Sequence, residues 1–174
     1  MNPLNYAKTL AAYNRWMNDR IYAACAALSD EERKRDVGAF FKSIHGTLNH
    51  ILLGDRVWMG RFTGVPFSVQ SLDQELYAEF AELRAQRQRT DEDITAWVNS
   101  LSGPEFEQPM SYMSTVNPQL RTYPFWLTVV SFFNHQTHHR GQVTTLLMQA
   151  GIDPGVTDLI WLPEVQPGRP QRER

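Results

Sequence analysis

Apolar residues recur every three or four positions over most of this chain, and that period marks amphipathic helices. Leu10, Met17, Ile21, Ala24 and Leu28 share one stripe, with Asn14 inside it, and predict a helix from about Leu4 to Leu28. Ser29-Asp30-Glu31-Glu32 follows and suits the cap of a short turn. Phe40, Phe41, Ile44, Leu48, Ile51, Leu52, Met59 and Phe62 predict a second helix from near Val37 to near Phe62, closed by Gly64-Val65-Pro66. A third, more polar segment spans Ser71 to Leu101. Ser71-Leu72-Asp73-Gln74 resembles a capping box at its start, and Thr90-Asp91-Glu92-Asp93 suggests a kink or a second start within it. Ser102-Gly103-Pro104 ends it.

From Glu105 to Tyr123 the character changes. Two mildly β-prone runs flank Asn117-Pro118, a pattern open to a short hairpin or to an irregular loop. Pro124 then suits a helix first turn, and Gly151 a helix end, so the last helix runs from Pro124 to Ala150. Four long helical segments with short connections predict an all-α fold, a four-helix bundle. Residues 1–166 read as a single domain. Residues 167–174, ending Gln-Arg-Glu-Arg, read as a flexible tail. Trp161 and Leu162 are expected to pack back onto the body.

Composition narrows the class. The chain has 174 residues, 42% hydrophobic and 21% charged, with a net charge of −2. That charge provides no basic field for nucleic acid or anionic lipid. The lone Cys25 excludes an internal disulfide, which fits a reducing compartment. Neither a secretory signal nor a run of about 18 apolar residues is visible, so the expectation is a soluble cytoplasmic protein.

The chemistry lies in five histidines: His45, His50, His135, His138 and His139. His135 and His139 are four apart, so they differ by about 40° around a helix. They lie on a face with Thr128, Phe132, Gln142, Val143 and Leu146, and therefore point inward. Two buried neutral imidazoles each need a polar partner, and one metal ion can serve both. His138 points about 100° away from His139 and reads as a rim residue. A mononuclear site needs a third ligand, from His45 or His50. These are about 140° apart, and spacing alone does not choose between them.

Tyr13-Asn14-Arg15-Trp16, then Thr47-Leu48-Asn49-His50-Ile51-Leu52, then Asn134-His135-Gln136-Thr137-His138-His139-Arg140-Gly141-Gln142 closely resemble the DinB family, within the DinB/YfiT-like superfamily of metalloenzymes. The resemblance covers nearly the whole chain. It implies a bundle with a long crossover, usually homodimeric, and assigns the metal ligands to His50, His135 and His139. The ion would be one divalent transition metal, zinc or nickel first, then iron or manganese.

Other polar residues sit near the expected core. Asp55 lies on an apolar stripe, about 140° from His50, so it is a poor ligand. A buried pair with Asn14 is the plain reading for it, and a supporting acid behind the ligands is the functional one. Gln142 is either a surface glutamine or a group that orients what the metal binds. Arg84, Arg87 and Arg89 read as a solvated face. Trp16, Trp58, Trp126 and Phe132 read as core or interface aromatics, and Cys25 as a small apolar filler.

Three imidazoles with an open position are the pattern of a catalytic site. The reacting species would be a metal-bound water or a thiolate. The superfamily resemblance implies thiol-dependent transferase or detoxification chemistry, with a low-molecular-weight thiol among its small-molecule partners and neither nucleic acid nor membrane. A metal-hydroxide hydrolase is the second enzymatic reading. A stress- or DNA-damage-induced metal-binding protein without turnover is the third.

Overall fold

The computed structural model describes residues 2–115 and 117–166. The tail expected at 167–174 lies outside the described residues. The chain is mostly helical: α1 Pro3–Cys25, the short α2 Asp30–Lys34, α3 Ile44–Thr63, α4 Phe80–Ser100 and α5 Phe125–Gln149. Strands β1 Pro109–Met113 and β2 Leu120–Pro124 form an antiparallel hairpin before α5, with Tyr112 opposite Arg121 and Met110 opposite Tyr123. The all-α expectation is corrected to that extent, and the open choice over 105–123 falls to the hairpin.

Local chemistry explains most boundaries. Asn2 caps α1 through Leu4 and Asn5 N–H. Ser29 and Glu32 form a reciprocal capping box on α2. Ser43 caps α3, so that helix begins at Ile44 and not near Val37. Phe40 and Phe41 therefore lie in the preceding loop, where Phe40 is exposed. Gly151, at φ 79°, ends α5. Two expectations fail on the third segment. Ser71 starts no helix, because 71–79 form an irregular strap and α4 begins at Phe80. Nor is there a second start at Thr90: α4 is continuous, and the Thr90 hydroxyl donates back to Gln86 O.

The four long helices pack as a closed circuit, α1 on α4 and α5, and α3 on α4 and α5. Their core is divided. One apolar cluster holds Met17, Ile21, Leu48, Ile51, Leu52, Leu83, Val143 and Leu147. The other holds Ala7, Ala11, Met59, Ile94, Trp97, Val129, Phe132 and Phe133. Leu162 is buried in the first, while Trp161 stays half-exposed. Cys25 is fully buried there, and burial pushes its thiol up to about 12.

On each helix the residues between the two clusters are polar and buried: Asn14 and Asn18, Asp55, Arg87 and Asp91, Gln136 and Arg140. Many of their polar groups pair with one another, while Arg87 Nε and Gln136 Oε1 have no hydrogen-bond partner among the described residues. Arg87 is paired with Asp55, and with Asp91 at 2.9 Å. Gln136 Nε2 donates to Asp55 Oδ1 at 2.7 Å. Asn14 and Asn18 donate to Asp91, each at 3.0 Å, and Arg140 donates to Asn14 Oδ1. Asp55 is thus partnered by Arg87 and Gln136, not by Asn14, and Arg87 is a buried cation, not part of a solvated face. Burial works against the Arg87 charge, yet Asp91 and Asp55 together raise its pKa above the usual arginine value.

Candidate metal centre

The polar layer reaches the α3–α5 seam beside three imidazoles. His50 Nε2 on α3 lies 3.1 Å from His135 Nε2 and 3.2 Å from His139 Nε2 on α5. One ring nitrogen from each of the three residues falls within 4.8 Å of the others. Helix period sets up two of them, since residues four apart stack on one face.

The third depends on a close approach of two backbones. Gly54 follows His50 by one turn on the row of α3 that faces α5. A methyl group there would stand 2.8 Å from His135 Cε1. Glycine at 54 leaves the space that the His135 ring fills.

The second nitrogens fix the tautomers. His50 Nδ1 lies 2.8 Å from Leu72 O, and a carbonyl only accepts, so Nδ1 carries the hydrogen and Nε2 the lone pair. His139 Nδ1 donates in the same way to Gln142 Oε1 at 2.7 Å. Two lone pairs therefore face each other across 3.2 Å with no hydrogen between them. His135 Nδ1 is buried with no partner among the described residues. A cation resolves this conflict. Two nitrogens held about 2.0–2.1 Å from one ion lie roughly 3 Å apart, so the donor set fits a divalent metal in spacing as well as in chemistry.

Electrostatics point the same way. Burial, reinforced by His139, His50 and His138, pushes His135 down to about 3. Burial also lowers His50 and His139, against the hydrogen bonds they donate to Leu72 O and Gln142 Oε1. All three shifts favour the neutral ring, the form that ligates.

The strap that carries Leu72 is tied to α3 by Asn49, which is buried. Its Oδ1 accepts from Leu76 and Tyr77 N–H at 2.9 and 3.0 Å, and its Nδ2 donates to Tyr77 O at 3.2 Å. Asn49 thus ties the strap after α3 against the helix, and that strap presents Leu72 O to His50. From the other side Phe41 stacks on His50 with centroids 3.8 Å apart and meets His139 edge-on at 5.5 Å. Gly46 permits this, because any Cβ there would collide with the Phe41 carbonyl.

The remaining sequence candidates separate cleanly. His45 is buried away from the trio and bonds Tyr77 O at 2.9 Å. His138 is exposed at the rim, its ring 4.8 Å from that of His139. Asp55 touches none of the three imidazoles and meets α5 through Gln136, the residue after His135. Gln142 does touch the site, as the partner of His139. Leu72, Phe41 and Gly54 were missed. Only Gly54 left a signal, a glycine one turn after His50 on the same helical row.

Comparisons with known proteins agree with this reading of the fold. Residues 1–174 match the sequence profile of the DinB family. The chain is 26% identical over 160 residues to protein DinB of Bacillus subtilis (strain 168), covering 88% of this chain and 91% of that protein. It also resembles the crystal structure of a DinB-like protein from Bacillus cereus ATCC 10987, with a TM-score of 0.58 and 19% identity, over 80% of this chain and 90% of that one.

Proposed function

The chain belongs to the DinB family, and from that premise we propose that it binds one divalent transition metal through Nε2 of His50, His135 and His139 and uses it for thiol-dependent transfer chemistry. The observation that carries the metal reading is the pair of Nε2 lone pairs, on His50 and His139, facing each other 3.2 Å apart. In this reading the circuit of long helices is a four-helix bundle, with the strap and hairpin as its crossings, and it assembles as a homodimer, checked by light scattering. Zinc or nickel suits the all-imidazole set best, with iron or manganese behind them.

A bound divalent ion would supply Lewis acidity that favours the deprotonated form of a coordinating thiol. The chain's own residues do the rest. Leu72 O and Gln142 Oε1 hold the tautomers, Phe41 keeps water from one side of His50, and the polar layer fixes the rotation of α5. Three protein ligands leave room for a substrate atom.

The test uses cobalt-loaded protein and a panel of low-molecular-weight thiols. A charge-transfer band that appears with thiol, followed by alkylation of that thiol by a supplied electrophile faster than in buffer, supports the reading. Ester or amide hydrolysis without any spectral response to thiol would replace it with the hydrolase. Metal binding with neither response would leave a binding protein without turnover.

A further inference from the structure

The helical rows that carry the histidines continue past them. On α3 the row runs His50, Gly54, Trp58, and on α5 it runs His139, His135, Ser131. One turn beyond His135, about 6 Å along the helix, a cleft of about 290 Å³ opens between Trp58, Tyr112, Tyr123, Leu127, Thr128 and Ser131. The hairpin builds its outer wall. Tyr112 meets Trp58 edge-on at 5.1 Å and lies 6.3 Å from Tyr123.

Size and lining select the occupant. A dry cavity of about 150 Å³ holds a benzene ring, so this volume takes one substituted ring or a small fused pair. Aromatic walls favour an aromatic guest through edge-to-face and offset contacts. A cation packs against two of the residues that line the cleft. The Arg61 guanidinium sits 4.6 Å from the Trp58 ring centre and 4.3 Å from that of Tyr112, held by a 2.8 Å bond to Thr115. It repels a cationic guest and tolerates a neutral or anionic one.

We infer that this cleft is the subsite for a neutral or anionic aryl group of the substrate, whose reacting end lies one turn away at the histidines. The second clause rests on the metal-centre reading, whereas aryl binding does not. The experiment is therefore run on both metal-free and zinc-loaded protein. 4-Fluorobenzyl alcohol, 4-fluorobenzoate and 4-fluorobenzylamine are titrated in turn, followed by amide and indole N–H shifts. The alcohol and the benzoate are expected to shift the Trp58 indole and the Thr128 and Ser131 amides in both forms. The amine is expected to bind at least tenfold more weakly.

Ser131 is exposed on α5, so Ser131→Phe fills the mouth without touching the core. It should weaken both favoured probes at least tenfold, with unchanged circular dichroism. Tyr123→Ala, on an exposed strand, should weaken them less. Shifts gathered instead around the separate apolar cavity at Pro3, Phe106 and Trp126, or no effect of Ser131→Phe, would overturn the subsite. Zinc failing to bind while the aryl probes still do would remove only the metal reading.

Discussion

At the scale of single residues, Gly54 separates stability from binding. Alanine is favoured over glycine within a helix by about 1 kcal/mol. A methyl at 54, however, would stand 2.8 Å from the His135 ring. The ring can swing aside, but it then leaves the other two imidazoles. Gly54→Ala should therefore keep the metal-free melting temperature within a few degrees while weakening zinc at least tenfold, measured by competition with a chromophoric chelator. Gln142→Leu removes the acceptor that holds the His139 tautomer, and such a loss typically costs about 10–100-fold in metal affinity. The same competition assay checks it, with Gln142→Glu expected to restore much of the loss. Equal affinities in wild type and Gln142→Leu would mean that the 2.7 Å contact does not orient the ligand.

At the scale of elements, the divided core shows where sequence reading succeeded and where it stopped. Helical period found all four long helices but started α3 near Val37 instead of Ile44 and α4 at Ser71 instead of Phe80. It also gave no sign that Arg87, Thr90 and Asp91 of α4 are buried. A charged stripe looks the same in sequence whether it meets water or other charges. For that reason the sequence alone presents Arg84, Arg87 and Arg89 as one solvated face, although Arg87 is buried. Asp55 was recognised as a buried acid, but its partner depends on how four helices are rotated against one another, which no single helix records. Likewise His135 and His139 followed from spacing, whereas the choice of His50 over His45 needed the family resemblance. In the structure the two differ: His45 bonds Tyr77 O of the strap, whereas His50 bonds Leu72 O of the strap with Nδ1 and turns Nε2 towards His135 and His139 on α5.

The same layer yields an energetic test. Asp55→Ala leaves Arg87 with one carboxylate and strips Gln136 of its acceptor. Removing one partner of a buried ion pair costs about 3–5 kcal/mol, and urea unfolding of the metal-free protein should show a loss of that order. Asp55→Leu fills the space better but leaves two buried cations, Arg87 and Arg140, against the single carboxylate of Asp91, so it should not recover the loss. Recovery by leucine would mean that Asp91 alone suffices for Arg87.

For the whole molecule, proton and metal compete for the same rings. His135 is pushed down to about 3 when folded, against about 6.5 in an unfolded chain. Below pH 6.5 the unfolded chain thus takes up a proton that the folded chain refuses, and stability falls as pH falls from there towards 3. The metal-free protein should lose melting temperature over that window, and His135→Gln should flatten the loss. Apolar clusters on both sides of the polar layer make the metal-free chain fold without the ion. Zinc should still raise its stability by mass action, about 2.7 kcal/mol at a hundredfold excess over Kd. A chelated sample without helical circular dichroism would contradict this and make the ion part of the fold.

The central claim, three imidazoles on one ion, is met most directly by the metal content of protein purified without a metal-affinity tag, measured by mass spectrometry across single-histidine variants. The account predicts about one divalent ion per chain in wild type, as a single mononuclear site requires. It predicts the same in His45→Ala and His138→Ala, and a near-complete loss in His50→Ala, His135→Ala and His139→Ala. Full occupancy in His50→Ala, with the fold intact, would contradict it.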